Sequence, residues 1–371
     1  MRWDVLVGER TTCADTQESR TEFPRDVTAD EEPLARSATQ IRGGRLDLTD
    51  PYVFVIGAGR SGTTLLLDLI GTHPDLARCN EKRYVWMYGA YWRPHDLRPA
   101  SDATPAVRAH IRRWFTRARV RSGARMLVEK TPSNCLRIPM MAEIFPRARY
   151  VHLIRDGRAV AFSSVRAFLG ENYVTDVDRR SGQRTSSQRL AFITQRLPEV
   201  LRHFHEGTLP LSALLPFAAR KAEDLAQTLL ASRPSLWGVR YPGIYGDRTA
   251  YTPLELAGIQ WRESETRALA DLATCVPPEQ RVDVRYDDLL SQPREELCRI
   301  FDFIGVDAPT TVLDRVASQV RGSDQAWRRG LDAGEQARLL AHIGPLLCAL
   351  GYATPEDLPW TVAPSRSRSL V

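Results

Sequence analysis

A glycine-rich stretch in the first quarter of the chain has residue types suited to binding an anion. Residues 52–65 read Tyr-Val-Phe-Val-Ile-Gly-Ala-Gly-Arg-Ser-Gly-Thr-Thr-Leu, so an apolar run leads into glycines and hydroxyl residues. Gly57, Gly59 and Gly62 allow backbone amides to turn toward a ligand, and a helix beginning near Thr63 adds unpaired N–H groups and a positive dipole end. The stretch therefore predicts a loop that binds phosphate or sulfate.

The loop differs from a nucleoside-triphosphatase loop in one residue that matters for chemistry. Gly57 and Gly62 have the Walker A spacing, but Thr63 stands where the motif has lysine. This substitution argues against ATP or GTP hydrolysis. Arg60 restores a positive charge within the loop, and a turn with purely structural glycines would not need that charge.

A second strand-to-helix junction also has groups that bind an anion. Residues 149–164 read Arg-Tyr-Val-His-Leu-Ile-Arg-Asp-Gly-Arg-Ala-Val-Ala-Phe-Ser-Ser, which predicts a strand ending at Ile154 and a helix from about Asp156. Arg155 follows the strand, and its guanidinium fork matches phosphate geometry. Taken alone, so short a run would rather be read as an ordinary junction, with Arg155 as a surface charge and Asp156 as the helix cap.

The two junctions together resemble a known family. Residues 59–66, Gly-Arg-Ser-Gly-Thr-Thr-Leu-Leu, are similar to the 5′-phosphosulfate loop of sulfotransferases that use 3′-phosphoadenosine 5′-phosphosulfate (PAPS), and they are closer to the tyrosylprotein and bacterial branch than to the cytosolic one. The resemblance implies that Arg155 and Ser163 bind the 3′-phosphate and that Tyr286, in the segment 281–290, lies near the adenine. A buried tyrosine that closes the sheet is an equal alternative for Tyr286. The implied loop contacts are Gly59, Arg60, Ser61, Gly62, Thr63 and Thr64.

Three further residues are candidates for catalysis or acceptor binding. The chain has only three lysines among 51 basic residues, so Lys130, in Val-Glu-Lys-Thr-Pro, indicates a need for a compact ammonium. The resemblance gives this lysine a contact with the transferred group, beside Arg60. It makes Glu81 the general base and Arg83 a substrate-side arginine. We expect Glu81 to stay ionised because Lys82 and Arg83 flank it.

The scheme needs no metal, and the sequence has no His-Glu-x-x-His pair, Cys-x-x-Cys pair or acidic calcium loop. His73 and His152 are the histidines nearest the motifs, and we interpret both as structural. Two late arginines, Arg321 and Arg328, are further candidates for the 3′-phosphate.

The pattern of strands and helices predicts the fold that positions these groups. Predicted strands at about 52–56, 125–129, 148–154 and 281–286 alternate with helical stretches, including a proline-started helix at 293–304. The expected fold class is therefore α/β, a P-loop-type three-layer fold with a central parallel sheet flanked by helices, plus a helical insertion.

We expect one sulfotransferase domain at 47–363, after a polar and flexible extension at 1–46 and before a tail at 364–371. The helical insertion, about 169–248, is expected on the acceptor side. Tyr241, Tyr245 and Trp261 fit either an acceptor pocket or plain core.

Composition limits the partners and the compartment. The chain has 371 residues, a formal net charge of +6 and a pI near 9.1, which suit a polyanionic nucleotide and do not by themselves indicate nucleic-acid binding. We find no signal peptide and no membrane span, and the six scattered cysteines need not pair. The prediction is a cytoplasmic protein that acts without a metal on a small-molecule, lipid or glycan acceptor.

Two alternatives to a sulfotransferase stay open on the sequence. A P-loop kinase of small metabolites would need the lysine that Thr63 replaces and a magnesium-binding acid after a strand. A nucleotide-binding protein without turnover would keep Arg60 and Arg155 but would not need Glu81 or Lys130.

Overall fold

A five-stranded parallel sheet forms the centre of the molecule in a computed structural model. The strand order is β2-β3-β1-β4-β5, and each neighbouring pair runs parallel. The strands are β1 (Tyr52–Ile56), β2 (Leu76–Asn80), β3 (Met126–Lys130), β4 (Arg149–Ile154) and β5 (Arg281–Arg285). The prediction of a parallel sheet is confirmed, and each of the four predicted strands lies within one residue of its observed bounds.

The structure describes residues 50–169, 236–320 and 325–358, together with the single positions 215 and 219. The predicted flexible extension, most of the predicted helical insertion, the tail and Arg321 lie outside these residues. In the described ranges no helix is both long and apolar enough to cross a membrane.

Twelve α-helices connect and cover the strands in the part of the chain that the structure describes. They are α1 (Thr63–Ile70), α2 (Arg83–Trp86), α3 (Pro105–Ser122), α4 (Ile138–Ile144), α5 (Gly157–Leu169), α6 (Ile244–Ala250), α7 (Pro253–Cys275), α8 (Tyr286–Ser291), α9 (Pro293–Ile304), α10 (Thr310–Gln319), α11 (Ala326–Gly330) and α12 (Ala333–Ala349). Short 3₁₀ turns occupy Ala100–Asp102, Pro132–Leu136, Pro278–Gln280 and Pro355–Asp357. The proline-started helix predicted at 293–304 is α9.

Alternate residues of β1 point into two different cores, which makes the molecule three layers thick. Phe54 packs with Phe115 of α3 and with other aromatic rings on one face, whereas Val53 and Val55 pack against α1 and α9 on the other. Because both faces are covered, β1 is apolar throughout. The predicted three-layer α/β architecture is confirmed.

The beginning of α5 is held by a close approach to α7. A Cβ added at Gly157 would lie 2.5 Å from the Trp261 ring, so only glycine fits there. Trp261 is buried in a third apolar cluster between these helices, and Tyr241 is buried in a fourth. Both aromatic residues are therefore core residues. The contact fixes the helix that carries Ser163.

Candidate active site

The predicted site residues collect at one edge of the sheet. Parallel strands end at the same edge, and ligands of open α/β sheets bind outside these carboxyl ends. The glycine loop follows β1, Glu81 follows β2, Lys130 ends β3, Arg155 follows β4 and Tyr286 follows β5. The topology thus brings together groups that are more than 200 residues apart in the chain.

The backbone of the glycine loop is held in a conformation that exposes its amides. Arg60 and Gly62 both have positive φ, 70° and 92°, and Gly62 is the N-cap of α1 without a side-chain cap. A Cβ at Gly57 would lie 2.7 Å from Thr63 Cγ2, so this position also requires glycine. The first amides of α1 are therefore available to an anion.

A buried hydroxyl in the loop has no protein partner. Ser61 is completely buried, and its Oγ makes no hydrogen bond in the part of the molecule that is described. Such a group normally has a partner, because its desolvation costs free energy. Thr63 is buried beside it, whereas Thr64 is exposed. A phosphate or sulfate oxygen of PAPS would satisfy Ser61, so the residues fit the nucleotide that the family resemblance implies.

The two predicted anion-binding junctions touch each other. Arg60 Nε donates to Ser163 Oγ at 3.3 Å, and Arg155 Nη1 donates to the carbonyl oxygen of Arg60 at 2.7 Å. The Arg155 guanidinium lies 4.2 Å from the centre of the Tyr286 ring. A Cβ at Gly62 would lie 2.4 Å from that ring. The structure therefore brings these five residues into one cluster.

The candidate base and the candidate catalytic cation form an ion pair. Lys130 Nζ lies 2.8 Å from Glu81 Oε1, and the Lys130 side chain is 1% exposed against 57% for Glu81. Glu81 has a φ of 50°, and its amide donates to the Lys130 carbonyl at 2.7 Å. Lys82 lies over the Trp114 ring, and Arg83 has another partner.

The turn after β3 places this ion pair beside the glycine loop. A Cβ added at Gly59 would be 3.9 Å from Pro132 Cβ, so the Lys-Thr-Pro turn contacts the loop. The neighbouring Glu129 is fully buried and accepts hydrogen bonds from Thr131 and Asn134. Burial raises the pKa of Glu129 above its ordinary value, against the opposing effect of those bonds. Among the described residues, the ion-pair partner of Lys130 is Glu81.

Arg83, predicted to contact the substrate, is bound to an internal carboxylate. Its Nη2 donates to both oxygens of the buried Asp96, at 2.7 and 2.8 Å. Asp96 also accepts from the Arg240 amide at 2.9 Å and lies 3.6 Å from Arg137 Nη2. Burial alone would raise the pKa of Asp96, but Arg83, Arg137 and Arg240 hold it below its ordinary value. Asp96 could not be recognised from the sequence, because a single acid 13 residues from Arg83 forms no motif.

The two histidines near the motifs lie away from this cluster, consistent with the structural role expected for them. His73 is buried, and its Nδ1 accepts from the Asp75 amide at 3.1 Å. His152 lies inside β4, between Glu265 of α7 and Asp283 of β5, at 2.9 and 3.0 Å. Burial would lower the pKa of His152, but the two carboxylates raise it to about 9.

The arrangement has the parts needed to bind a doubly anionic nucleotide and to move a proton. Loop amides, Ser61 and Arg60 have the chemistry to bind one anionic group, and Arg155 and Ser163 have the chemistry to bind another. Glu81 is an exposed carboxylate next to a buried ammonium. The described residues include no group of three or more histidine, cysteine or acidic side chains placed to hold a metal ion. Arg328, the described late arginine, stacks on Trp327 at 4.8 Å and donates to Gln325.

Comparison with known proteins places the motifs in a family. Residues 51–210 match the model of the sulfotransferase family. Protein-tyrosine sulfotransferase A of Caenorhabditis elegans is 30% identical over 128 residues, 32% of this chain and 33% of that protein. Nodulation protein NoeE of Sinorhizobium fredii is 28% identical over 138 residues, 33% of each chain. The chain thus spans about a third of the length of these curated relatives.

Solved structures with a related arrangement include the sulfotransferase domain from the curacin biosynthetic pathway. It is 16% identical, and the superposition covers 83% of this chain and 98% of that one with a TM-score of 0.43. The family match covers the glycine loop, Glu81, Lys130, Arg155 and Ser163, and the resemblance drawn from the motifs is confirmed. Residues 51–210 of the chain are thus similar to the sulfotransferase family.

Proposed function

We propose that the protein transfers a sulfuryl group from PAPS to a hydroxyl acceptor and releases 3′-phosphoadenosine 5′-phosphate (PAP). The observation that carries the proposal is the contact between its two anion-binding junctions. Arg60 reaches Ser163 at 3.3 Å, and Arg155 reaches the Arg60 carbonyl at 2.7 Å. Two anion sites this close suit a single nucleotide that carries a phosphate on the 3′ position and a phosphosulfate on the 5′ position of its ribose.

The nucleotide-binding residues have separate tasks in this proposal. The loop amides, Ser61 and the hydroxyls of Thr63 and Thr64 hold the phosphosulfate end, because a helix N-terminus stabilises negative charge. Arg155 and Ser163 bind the 3′-phosphate. Tyr286, already stacked on Arg155, offers an aromatic face to the adenine.

The chemical step assigned to the site conserves atoms and charge. Glu81 removes the proton of the acceptor hydroxyl, whose oxygen forms a bond to sulfur while the bond from sulfur to the bridging nucleotide oxygen breaks. Lys130 and Arg60 stabilise the negative charge that develops on this oxygen. Because Glu81 and Lys130 are paired in the structure, the transferred group must compete with Glu81 for the ammonium. Binding of the donor therefore frees the carboxylate for the acceptor.

The acceptor is proposed to be a small molecule, a lipid or a glycan in the cytoplasm, with no nucleic acid and no metal involved. The names of the relatives add a tyrosine hydroxyl to the classes that need testing. Arg83 is proposed to act on the acceptor side, from a position fixed by Asp96. A useful panel contains a simple phenol, a sterol alcohol, an oligosaccharide and a tyrosine peptide.

Calorimetric titration without added metal tests the nucleotide assignment. The wild-type protein is titrated with PAP and, separately, with ATP and magnesium. We expect PAP binding that Arg155→Ala weakens by about two orders of magnitude, since charged hydrogen bonds contribute roughly 1.5–3 kcal/mol each. Arg338→Ala, at an exposed arginine on α12, is the matched control and should bind PAP normally. Binding of ATP with magnesium and none of PAP would reject the proposal in favour of a kinase.

Turnover separates an enzyme from a nucleotide-binding protein. Radiolabelled PAPS is incubated with the acceptor panel, and both sulfated product and free PAP are measured. We expect product with at least one class of hydroxyl. PAP binding without turnover of any acceptor would favour the non-catalytic alternative.

A further inference from the structure

Arg155 and Tyr286, proposed to hold the 3′-phosphate and the adenine, stand directly after two paired strands. Ile154 ends β4 and Arg285 ends β5, and the two residues are partners in the parallel pairing of these strands. The next residues in the chain are Arg155 and Tyr286, and the Arg155 guanidinium lies 4.2 Å from the centre of the Tyr286 ring. Because both strands end here, the directions of these two side chains depend on what holds Ile154 and Arg285.

A turn near the other end of the chain brings Tyr352 to this place. The helix α12 ends at Gly351, which has a φ of 72° and whose amide donates to the Cys348 carbonyl at 3.0 Å. The Tyr352 amide donates to the Leu347 carbonyl at 2.8 Å. These two bonds and the left-handed glycine form a Schellman motif, which fixes the backbone at the helix end. Tyr352 is thereby held in place although it lies 198 residues after Ile154 in the sequence.

Tyr352 contacts the residue before Arg155 and the residue before Tyr286. Its hydroxyl donates to the carbonyl oxygen of Ile154 at 3.3 Å, and the guanidinium of Arg285 lies 4.4 Å from the centre of its ring. A carboxylate on the first turn of α8, directly after Tyr286, is a second hydrogen-bonding neighbour of the hydroxyl. One side chain therefore touches both strand ends and the helix that begins at Tyr286.

Two arginines fix the backbone around Tyr352 in the same region. Arg158 of α5 donates to the Tyr352 carbonyl at 2.7 Å, and Arg285 donates to the Leu350 carbonyl at 2.9 Å. Asp156 accepts hydrogen bonds from the Arg158 guanidinium through both oxygens. Burial, followed by the charge of nearby carboxylates, raises the pKa of Tyr352 above its ordinary value. The phenol therefore keeps its proton at neutral pH and can donate it to a carbonyl.

We propose that Tyr352 is a positioning residue for the 3′-phosphate, acting through Arg155. Its bond to the Ile154 carbonyl fixes the peptide plane that leads into Arg155, and a small rotation of that plane would be amplified at the guanidinium several bonds away. The inference rests on the proposed use of PAPS. It makes Tyr352 a determinant of how well the site distinguishes PAP from 5′-AMP, which has the 5′-phosphate but lacks the 3′-phosphate.

Calorimetry with these two nucleotides tests the assignment. Tyr352→Phe removes the hydroxyl and keeps the ring that stacks on Arg285. We expect PAP affinity to fall about fivefold, as the loss of one neutral hydrogen bond allows, while 5′-AMP affinity stays within about twofold. The matched control is Tyr52→Phe, which removes a tyrosine hydroxyl bonded to Thr116 at 3.2 Å, at the start of β1. It should change neither affinity.

A double-mutant cycle shows whether Tyr352 acts through Arg155. In the Arg155→Ala background, Tyr352→Phe should cause no further loss of PAP affinity, because the side chain that the hydroxyl positions is gone. Two residues that act independently would instead give the sum of their separate effects on the binding free energy. Thermal unfolding of every variant records the accompanying change in stability. A merely structural tyrosine would lower the melting temperature and weaken both nucleotides alike.

Three results in a wild-type protein that binds PAP would overturn this inference alone. They are unchanged PAP affinity in Tyr352→Phe, equal weakening of PAP and 5′-AMP, and full additivity of Tyr352→Phe with Arg155→Ala. A wild-type protein that does not bind PAP would reject the proposed function, and the role of Tyr352 with it. The wild-type titration therefore distinguishes the two failures.

Discussion

His152 gives the protein a stability that should depend on pH in a defined direction. Its imidazole is buried in β4, where Nδ1 bonds to Asp283 Oδ1 at 3.0 Å. On the other side Glu265 Oε1 lies 2.9 Å from Nε2, outside hydrogen-bond angles, so this buried carboxylate acts on the ring mainly through its charge. The protonated His152 ring on β4 is therefore attracted to carboxylates on both β5 and α7.

The magnitude follows from the pKa of the ring. Burial opposes the charged form, but the two carboxylates raise the pKa from 6.5 to about 9 in the folded protein. At 1.36 kcal/mol for each unit, the difference corresponds to about 3 kcal/mol of unfolding free energy. Below pH 6.5 both states bind the proton and this contribution is complete. It is lost as the pH rises from 6.5 through 9, where the folded state releases the proton.

Urea unfolding at a series of pH values between 6 and 9.5 measures this loss. The wild type should lose about 3 kcal/mol across the interval relative to a variant without the titrating group. His152→Gln alone leaves Glu265 buried and unpaired, which costs roughly 3–5 kcal/mol and risks unfolding. The double variant His152→Gln, Glu265→Gln removes both charges and is the reference.

The double variant also provides the decisive comparison. If its unfolding free energy fell with pH as steeply as that of the wild type, the stabilisation would come from other titrating groups. A wild-type protein that became more stable between pH 6.5 and 9 would contradict the sign of the argument. Either result would mean that the folded structure does not raise the pKa of the ring.

Three further predictions concern the site and its support. Glu81→Gln should lower turnover, measured by initial rates, by about a hundredfold, while PAP affinity measured by calorimetry stays within about twofold of the wild type. An equal loss of PAP affinity would contradict the role of Glu81 as base. Gly62→Ala should reduce PAP affinity at least about tenfold, because the new Cβ would lie 2.4 Å from the Tyr286 ring. The control is Gly123→Ala, which is also at positive φ but in open space and should change only thermal stability. Asp96→Asn should lower the unfolding free energy, measured in urea, by roughly 3–5 kcal/mol, since it removes the buried carboxylate shared by several guanidinium groups. An unchanged urea midpoint would show that these arginines tolerate its loss.

Local sequence was sufficient to predict the parts of the site that follow single strands. The apolar run of β1 and its glycines specify a strand, a turn and a helix within 20 residues, and the structure has them at the predicted bounds. Lys130 was singled out because arginine supplies almost every other positive charge in the chain. In the structure Lys130 ends β3, which pairs with β1, so the lysine lies beside the glycine loop that follows β1. Its catalytic role remains a prediction.

Long-range pairings were beyond the sequence. The edge strand β2 was missed because Leu-Ala-Arg-Cys-Asn is short and partly polar, as an edge position permits. The partner of Glu81 was expected among its neighbours in sequence, but parallel pairing of β2 with β3 brings Lys130 to it instead. Asp96 reaches Arg83 through a loop without a recognisable pattern. For both ion pairs the missing information is which distant segments become neighbours in the fold.

Arg60 and Glu81 have positive φ, the one pair of non-glycine residues with this conformation in the described part of the chain. Such a backbone costs roughly 1–3 kcal/mol at each position, and glycine would relieve most of it. A search for thermostable variants should therefore recover glycine at 60, and such variants should lack a guanidinium that the proposed reaction needs. Glycine at 81 should not be recovered, because it would leave the buried Lys130 without its ion-pair partner. For this protein, selection for heat resistance alone would act directly against activity.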